Sequence, residues 1–302
     1  MVRNSNPLVF ASIAALLLGE CLTIAPARAD DAAKPPPAAS GQTQLPPRQE
    51  EVTFESNGYK LYGCIQRPPG AGPFPAMIYN HGSEKFPGRC HPPELARVYV
   101  EHGYLFFSFH RHGHGRSPGA YIGDLQKQIR TQVRDPAVRD RRIVALQDVY
   151  NRDVAGAVAW LMRQPDVDRN RVAMTGVSYG GIQTLLTAEK GLGIRAFMAF
   201  APGAMTWSNP AVRARLEHAV RNAKAPLFLA QAKNDYSLGP SEVLGPMVRA
   251  KGPPNTAKIY PAFGTTHQDG HGAFAVRGGI PIWSADGFAF LAAAMKAGSP
   301  LR

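Results

Sequence analysis

Short apolar runs alternate with longer amphipathic segments along most of the chain. A run that is apolar throughout is typical of a strand buried on both faces, whereas apolar side chains at helical spacing indicate a helix with one buried face. The clearest helical period starts at residue 146 and ends before Pro165, because proline stops a helix. The predicted strands are residues 76–79, 104–109, 172–175, 196–200, 226–230 and 258–260, and the predicted helices are residues 146–162, 182–190, 211–223, 244–250 and 285–296.

This alternation predicts the α/β class, with a mainly parallel central sheet of about eight strands and helices on both of its faces. Residues 52–65 hold two short strands around an Asn-Gly turn, which predicts an antiparallel hairpin at one edge of the sheet. Residues 120–142 are polar and basic without a clear apolar stripe, so they are predicted as an excursion from the core and a candidate partial cap. Residues 261–281 are predicted as a long loop.

The first 29 residues contain the three regions of a signal peptide in the expected order. A basic residue lies near the start, residues 8–18 are apolar but too short to span a bilayer, and residues 27–29 form an Ala-Arg-Ala cleavage site. Two alternatives are a lipid carried by Cys21 and a retained anchor helix. Glu20 argues against the first, because a lipoprotein signal has a small residue at that position. We therefore expect cleavage after Ala29.

Export of the chain follows from such a signal. We expect a periplasmic or secreted protein without a stable membrane anchor after cleavage. Residues 30–50 are rich in proline and alanine, and this composition predicts a disordered linker. One folded domain is predicted over residues 51–302, because an α/β fold of this length need not be divided.

The charge of the chain excludes little. The formal net charge is +12, which suits nucleic acid or an anionic surface as a partner. The basic residues are spread along the chain without a nucleic-acid-binding motif, so we expect no nucleic-acid partner. The densest basic cluster is interpreted as a solvated helical face, and it consists of Lys127, Arg130, Arg134, Arg139, Arg141 and Arg142.

The candidate chemistry begins at residues 176–181, Gly-Val-Ser-Tyr-Gly-Gly, between a predicted strand and a predicted helix. A strand, a G-x-S-x-G motif and a helix together form a nucleophile elbow, in which the serine occupies a sharp and strained turn. Gly176 and Gly180 fit this geometry, because only very small side chains are tolerated two positions from the serine. Ser178 is therefore the candidate nucleophile. The alternative is a glycine-rich turn that merely contains a serine.

A serine hydroxyl needs a base within hydrogen-bonding reach and a further group that orients the base. In folds with this elbow, the partners follow the serine in the order acid, then histidine. Asp235 follows a predicted strand and is the candidate acid, with an ordinary turn aspartate as the alternative. His267 and His271 both lie beyond the last predicted strand. His271 is the preferred base, because glycines on both sides let the backbone aim its ring.

An oxyanion formed during acyl transfer needs two backbone N–H donors. One donor comes from the residue after the nucleophile, Tyr179, and the other comes from the loop after the third strand. Ser83 is the candidate in that loop. His81 precedes it and is interpreted as a residue that holds the loop by hydrogen bonding.

Three histidines and two cysteines raise other chemistries. A zinc motif would place cysteine or acidic partners at regular spacing, and these are missing around residues 110–114, so we expect no metal. His110, His112 and His114 in that segment are predicted to line the mouth of the site. Cys64 and Cys90 are compatible with either a disulfide or two free thiols, and neither lies at the elbow.

Residues 51–297 resemble the dienelactone-hydrolase-like branch of the α/β-hydrolase superfamily. Dienelactone hydrolases use a cysteine nucleophile, and Ser178 in its place favours serine esterase chemistry. The Ser-Tyr-Gly-Gly sequence also resembles the prolyl-oligopeptidase-type peptidases. The residues that carry the resemblance are Pro-Phe-Pro-Ala at 73–76, Asn-His-Gly-Ser at 80–83, residues 111–117, the elbow at 176–181, Asp235, and Gly-His-Gly at 270–272.

The resemblance implies a serine hydrolase that cleaves small-molecule carboxylic esters through an acyl-enzyme on Ser178, without a cofactor. One alternative is a prolyl-oligopeptidase-like peptidase or aminoacyl hydrolase. Another is a non-catalytic binding protein with the same fold. The complete set of Ser178, Asp235 and His271 argues against the binding protein, because a protein without catalysis does not need all three.

Overall fold

Eight strands form a central sheet in the computed structural model, which describes residues 48–296. The strands are β1 (Arg48–Ser56), β2 (Tyr59–Arg67), β3 (Phe74–Asn80), β4 (Leu105–Phe109), β5 (Val167–Val177), β6 (Ala196–Phe200), β7 (Leu227–Ala232) and β8 (Thr256–Tyr260). The helices are α1 (Pro93–Glu101), α2 (Ile122–Gln132), α3 (Pro136–Leu161), α4 (Tyr179–Lys190), α5 (Pro210–Arg221), α6 (Gly239–Arg249), α7 (Phe274–Val276) and α8 (Ile280–Lys296). A 3-10 turn at Ala204–Thr206 precedes α5, and a π-helical turn at Asp269–Ala273 precedes α7.

The order of strands across the sheet is β1-β2-β4-β3-β5-β6-β7-β8. The pairs β1–β2 and β2–β4 are antiparallel, and all the other neighbouring pairs are parallel. This arrangement confirms the predicted α/β-hydrolase sheet, with its antiparallel hairpin at one edge. The chain runs from β3 outward to β4 and then returns to β5 on the other side of β3. The crevice at the carboxyl ends of β3 and β5 is therefore a topological switch point, where ligands bind in such sheets.

The helices cover both faces of the sheet, and each face has its own apolar core. On one face, α3, α4 and α5 bury residues such as Val154, Leu185 and Leu216 against the strands. On the other face, α1 and α8 bury Tyr99 and Leu291. None of the helices within residues 48–296 is both long and apolar enough to cross a membrane.

Residues 120–142 form α2 and the beginning of α3. Ile122 of α2 is fully buried, and Leu125 and Ile129 pack partly buried against the same core, so this helix has a short apolar stripe among polar neighbours. The helix α3 begins at Pro136, well before its predicted start at residue 146. Asp135 caps it, because the Asp135 Oδ1 atom accepts the Val138 N–H over 3.0 Å. The polar beginning of this helix concealed it from the hydrophobic pattern.

Other element ends differ from the predictions by shorter distances. The strand β1 begins at Arg48, inside the predicted linker, because its pairing with β2 extends to Arg67. The predicted loop of residues 261–281 contains the π-helical turn and α7, and α8 begins at Ile280 rather than at residue 285. The predicted signal peptide lies outside the described residues.

A disulfide joins Cys64 in β2 to Cys90 in the loop between β3 and α1. The two Cα atoms are 4.9 Å apart, within the range that a disulfide requires. Of the two alternatives that the sequence allowed, the structure therefore has the bridge. It ties an edge hairpin to the loop that begins at His81 and contains Ser83, the candidate oxyanion residue.

The loop after β4 carries a buried layer of histidines. The His112 ring stacks between Tyr59 and Tyr150, with centroid distances of 4.7 and 3.8 Å, and its Nδ1–H donates to Asp153. The His114 Nδ1–H donates to the backbone oxygen of His112 over 3.0 Å. The prediction that these histidines line the mouth of the site is wrong: His112 and His114 are buried, His110 is half-buried, and none of the three lines either cavity beside Ser178.

Burial and a neighbouring cation keep the rings of His114 and His81 neutral. Burial lowers the pKa of His114 to about 3, and the charge of Arg111 contributes to the same shift. Burial, followed by the charge of Arg111, also lowers the pKa of His81 well below its ordinary value. Both rings therefore act as neutral hydrogen-bonding groups at neutral pH.

We expect the double substitution C64A/C90A to lower the free energy of unfolding by about 2–4 kcal/mol, because the unlinked chain gains more entropy on unfolding. In thermal unfolding this loss corresponds to a decrease of roughly 5–15 °C in Tm. Dithiothreitol should lower the Tm of the wild-type protein by a similar amount and should leave the double variant unchanged. A reductant-insensitive wild-type Tm would contradict the prediction.

We expect acid to destabilise the fold through His114. In the unfolded chain this ring is protonated below about pH 6.5, whereas in the folded protein its pKa is about 3. Its full contribution to the free energy of unfolding is therefore present above pH 6.5 and is lost as the pH decreases below that value. Between pH 7 and pH 5 this ring alone should remove about 2 kcal/mol from the free energy of unfolding. Urea denaturation at both pH values measures the loss, and H114N, which retains a donor, should show a smaller difference. Equal losses in both proteins would refute the assignment to His114.

Candidate active site

Ser178 lies at the switch point of the sheet, between the end of β5 and the start of α4. Its backbone has φ 58° and ψ −118°, which is strained for a residue with a side chain. Two backbone hydrogen bonds hold the turn: the Ser178 N–H donates to Phe200 over 2.9 Å, and the Ile182 N–H donates to the Ser178 oxygen over 3.1 Å. This is the strand, turn and helix geometry of a nucleophile elbow.

The glycines beside Ser178 are required by close backbone contacts. A Cβ atom on Gly176 would lie 2.4 Å from the Gly180 oxygen. A Cβ atom on Gly180 would lie 2.0 Å from the oxygen of Asn80, at the end of β3. Both distances are impossible for real atoms, so the elbow packs directly against the β3 loop.

Asp235 and His271 form a buried hydrogen-bonded pair. The His271 Nδ1–H donates to Asp235 Oδ1 over 2.8 Å, and the His271 side chain is 5% exposed while that of Asp235 is 0% exposed. The other Asp235 oxygen accepts from Gln231 Nε2 over 3.0 Å, and the Tyr236 N–H donates to Oδ1 over 2.6 Å. Asp235 follows β7, so an acid at the end of one strand orients a ring from the π-helical turn.

The second ring nitrogen of His271 is left available for chemistry. Its Nε2 atom is buried and has no hydrogen-bond partner among residues 48–296. His271 and Ser178 line the same cavity. The Nε2 atom therefore makes no hydrogen bond to Ser178 in this structure. Catalytic hydrogen bonds often form only in the complex with substrate, so a buried free nitrogen in the cavity of Ser178 suits a general base.

His267 occupies a different position from His271. It is exposed, and its Nδ1 atom lies 3.0 Å from the backbone oxygen of Asn234 rather than against Asp235. Asn234 also holds the turn through hydrogen bonds of 2.8 and 2.9 Å to the oxygens of Phe263 and Thr266. The structure therefore pairs His271 with the acid and gives His267 a place in the supporting loop.

Both candidate oxyanion donors lie close to the nucleophile. Tyr179 is the first residue of α4, so its N–H has no acceptor within the helix. A Cβ atom on Gly82 would lie 3.8 Å from Ser178 Cβ, which places the start of the Gly82-Ser83 segment against the nucleophile. The oxygen of Ser83 accepts from the Tyr121 hydroxyl over 2.6 Å, and this bond fixes the segment from outside.

Arg111 contacts both donor segments from the protein interior. The sequence pattern did not single out this residue. Its fully buried guanidinium donates to the oxygens of His81 over 2.9 Å and Gly82 over 2.6 Å. It also lies over the Tyr179 ring, 4.9 Å from the centroid. Burial lowers the pKa of Arg111 and raises the pKa of the Tyr179 phenol. The arginine in the glycine-rich segment after β4 was the available signal.

Two cavities flank Ser178. One has a volume of about 740 Å³ and contains His271. The other has a volume of about 650 Å³ and is lined by Tyr179 and by residues of α2, α3 and α5. Ser83 and Ser178 line both. Within residues 48–296, no group of three or more His, Cys, Asp or Glu side chains is arranged to hold a metal ion.

Solved structures share this fold at low sequence identity. An acylaminoacyl peptidase from Pyrococcus horikoshii has a TM-score of 0.57 at 17% identity, over 74% of this chain and 38% of its own. A Klebsiella pneumoniae protein described as a dienelactone hydrolase has a TM-score of 0.56 at 19% identity, over 82% and 98%. An esterase from Pyrococcus furiosus has a TM-score of 0.56 at 16% identity, over 85% and 95%. This chain thus spans less than half the length of the peptidase.

A family model gives the more specific result. Among curated proteins, none matches the chain. The model of the family described as X-Pro dipeptidyl-peptidase (S15 family) matches residues 57–230, more than half of the chain. The match contains Ser178 and ends before Asp235 and His271. The chain therefore belongs to the S15 family, and its fold is that of the α/β-hydrolase superfamily.

Proposed function

We propose that the protein hydrolyses carboxylic esters through an acyl-enzyme on Ser178. The observation that carries this proposal is the buried 2.8 Å hydrogen bond between His271 and Asp235, in the cavity that Ser178 also lines. A strained serine, an oriented imidazole and a buried carboxylate are together the machinery of acyl transfer.

In the proposed reaction, Ser178 Oγ attacks the ester carbonyl while His271 Nε2 takes its proton. Asp235 keeps the proton of the imidazole on Nδ1 and stabilises the imidazolium that forms. The N–H groups of Tyr179 and Ser83 stabilise the oxyanion. His271 then protonates the leaving alcohol, and a water activated by the same ring releases the acid. The steps need neither a metal nor a cofactor.

Separate cavities on the two sides of Ser178 provide room for an acyl group and a leaving group. The solved structures support an alcohol rather than an amine as that leaving group. The structures that this chain spans over nearly their whole length include an esterase and a dienelactone hydrolase. An alkoxide also leaves without the full protonation that an amine requires, so the same groups suffice for an ester more readily than for an amide.

A peptidase or aminoacyl hydrolase is the second candidate, and the S15 family match favours it. That family is described as X-Pro dipeptidyl-peptidase, and the P. horikoshii structure is an acylaminoacyl peptidase. The acyl-enzyme chemistry would be the same, with an amine as the leaving group. Substrate preference therefore separates the two candidates, whereas loss of Ser178 affects both equally.

We also propose that the protein works in a periplasmic or secreted location. The Cys64–Cys90 disulfide supports this, because such bonds persist in oxidising compartments. The signal-peptide pattern in the first 29 residues supports the same location.

We expect p-nitrophenyl esters to be cleaved with a higher kcat/KM than aminoacyl p-nitroanilides. S178A should lower ester turnover by at least about 10⁴-fold, because the nucleophile is lost. S83A serves as the matched control and should retain most activity, because a backbone donor survives a side-chain change. A preference for the anilides would favour the peptidase, and full activity of S178A would refute the acyl-enzyme.

We expect the two histidines to differ sharply on substitution. H271A should lower kcat by about 10⁴–10⁶-fold, because the general base and its link to Asp235 disappear. H267A should change kcat by less than about tenfold, since this exposed ring contacts the supporting loop. Circular dichroism of both variants checks that the fold is retained. The reverse ranking would show that His267 is the base.

A further inference from the structure

We infer that the cavity on the side of Ser178 away from His271 binds an acyl group that carries a carboxylate, and that Arg130 and Arg139 hold this carboxylate. The inference rests on the proposed ester hydrolysis and adds the chemical class of the substrate: half-esters of dicarboxylic acids.

The position of the base decides which cavity receives the acyl group. His271 must protonate the leaving alcohol, so the alcohol departs through the cavity that His271 lines. The other cavity contains Ser178, Tyr179 and Ser83 but not His271. The acyl carbon is bonded to Ser178 and its oxygen faces the Tyr179 and Ser83 donors. The remainder of the acyl group therefore extends into this second cavity, the acyl cavity.

The lining of the acyl cavity contains apolar side chains and two arginines. It holds about 650 Å³, which is ample for a short chain with a polar end. Arg130 comes from α2 and Arg139 comes from α3, so each of the two helices supplies one guanidinium. The apolar lining consists of Ile122, Ile143, Ile182, Met205 and Val212.

Positive charge exceeds negative charge in the lining. Asp140 is the one acid among the described lining residues. Its Oδ1 atom accepts from Asn209 over 3.0 Å and lies 3.9 Å from Arg139 Nε, a distance too long for a strong ion pair. The hydrogen bond of Arg130 goes to the neutral side chain of Gln126, over 3.4 Å. Both guanidinium groups are therefore available to bind a carboxylate, whose two oxygens accept paired hydrogen bonds from arginine.

One further feature of the cavity suits a ligand with a polar end. The side-chain oxygen of Gln147, which is buried in the same lining, has no hydrogen-bond partner among residues 48–296. A 180° turn of this amide presents its N–H₂ group instead. The lining thus holds a polar group that is still without a partner.

Other basic residues of the same stretch provide matched controls. Arg134 lies between α2 and α3, and Arg141 lies in α3; both are exposed, as Arg130 is, but neither lines the acyl cavity. A general effect of net charge on an anionic substrate would appear equally at these positions. An effect of a binding site would appear only at Arg130 and Arg139.

The test compares the monomethyl ester of adipic acid with methyl hexanoate, which has the same chain length and no charge. Hydrolysis is followed by pH-stat titration. We expect the wild-type protein to prefer the adipate ester by at least about tenfold in kcat/KM, because a charged hydrogen bond is gained. R130Q/R139Q should abolish that preference by lowering kcat/KM for the adipate ester, while R134Q/R141Q should keep the wild-type preference.

A binding measurement separates this inference from the proposed function. Calorimetric titration of S178A with adipate and with hexanoate requires no turnover, and adipate should bind at least about tenfold more tightly, with the difference lost in R130Q/R139Q. If neither ester is hydrolysed but adipate binds in this way, ester hydrolysis fails and the anion site stands. If methyl hexanoate is hydrolysed as well as the adipate ester, and adipate binds no better than hexanoate, the inference is overturned and ester hydrolysis stands.

Discussion

The geometry of the candidate site depends on one buried cation, the guanidinium of Arg111. It donates to the backbone oxygens of His81 and Gly82 and lies against the Tyr179 ring, so it connects the β3 loop with the nucleophile elbow. A buried charge is costly unless other dipoles replace its hydration. Two backbone oxygens and an aromatic face replace part of it here, whereas Nε and Nη1 of Arg111 are buried without a hydrogen-bond partner among residues 48–296. Burial, followed by the same positive charge, lowers the pKa of His81 and keeps its ring neutral, and its Nδ1 atom lies 2.9 Å from the Gly82 oxygen.

The catalytic candidates were predictable because their constraints are local or ordered along the chain. Close packing around Ser178 demands glycines, and Asp235 and His271 follow in the order that the fold imposes. Arg111 and Gln231 could not be found in this way. Arg111 acts on the backbone of Gly82, which is distant in sequence, and Gln231 donates to the Asp235 oxygen that does not face His271. No sequence motif marks either contact. The sheet was similarly predictable, because strands buried on both faces are continuously apolar.

The helices around the acyl cavity were the part of the fold that the hydrophobic pattern could not reveal. The apolar face of α2 is short and mostly half-buried: Ile122 is fully buried, and Leu125 and Ile129 are partly buried against the core. The helix α3 begins with a polar turn capped by Asp135. From sequence alone, the basic residues of this segment were interpreted as a solvated helical face. The structure places two of them, Arg130 and Arg139, in the lining of a cavity beside Ser178, where they are available to bind a ligand.

The acyl cavity receives α2 and the start of α3 from one continuous stretch of chain inserted after the β4 loop. The Tyr150 hydroxyl donates to the oxygen of Ala120 over 2.5 Å and so fastens the entrance of this stretch to the middle of α3. The nucleophile, acid and base all come from other parts of the chain, at or after the ends of β5, β7 and β8. If the acyl cavity binds as inferred, the residues that select the acid and the residues that break the bond lie mostly in different parts of the chain. Substitutions in residues 122–142, with Tyr121 and its hydrogen bond to Ser83 kept, would then change the acid that is accepted without changing the reaction.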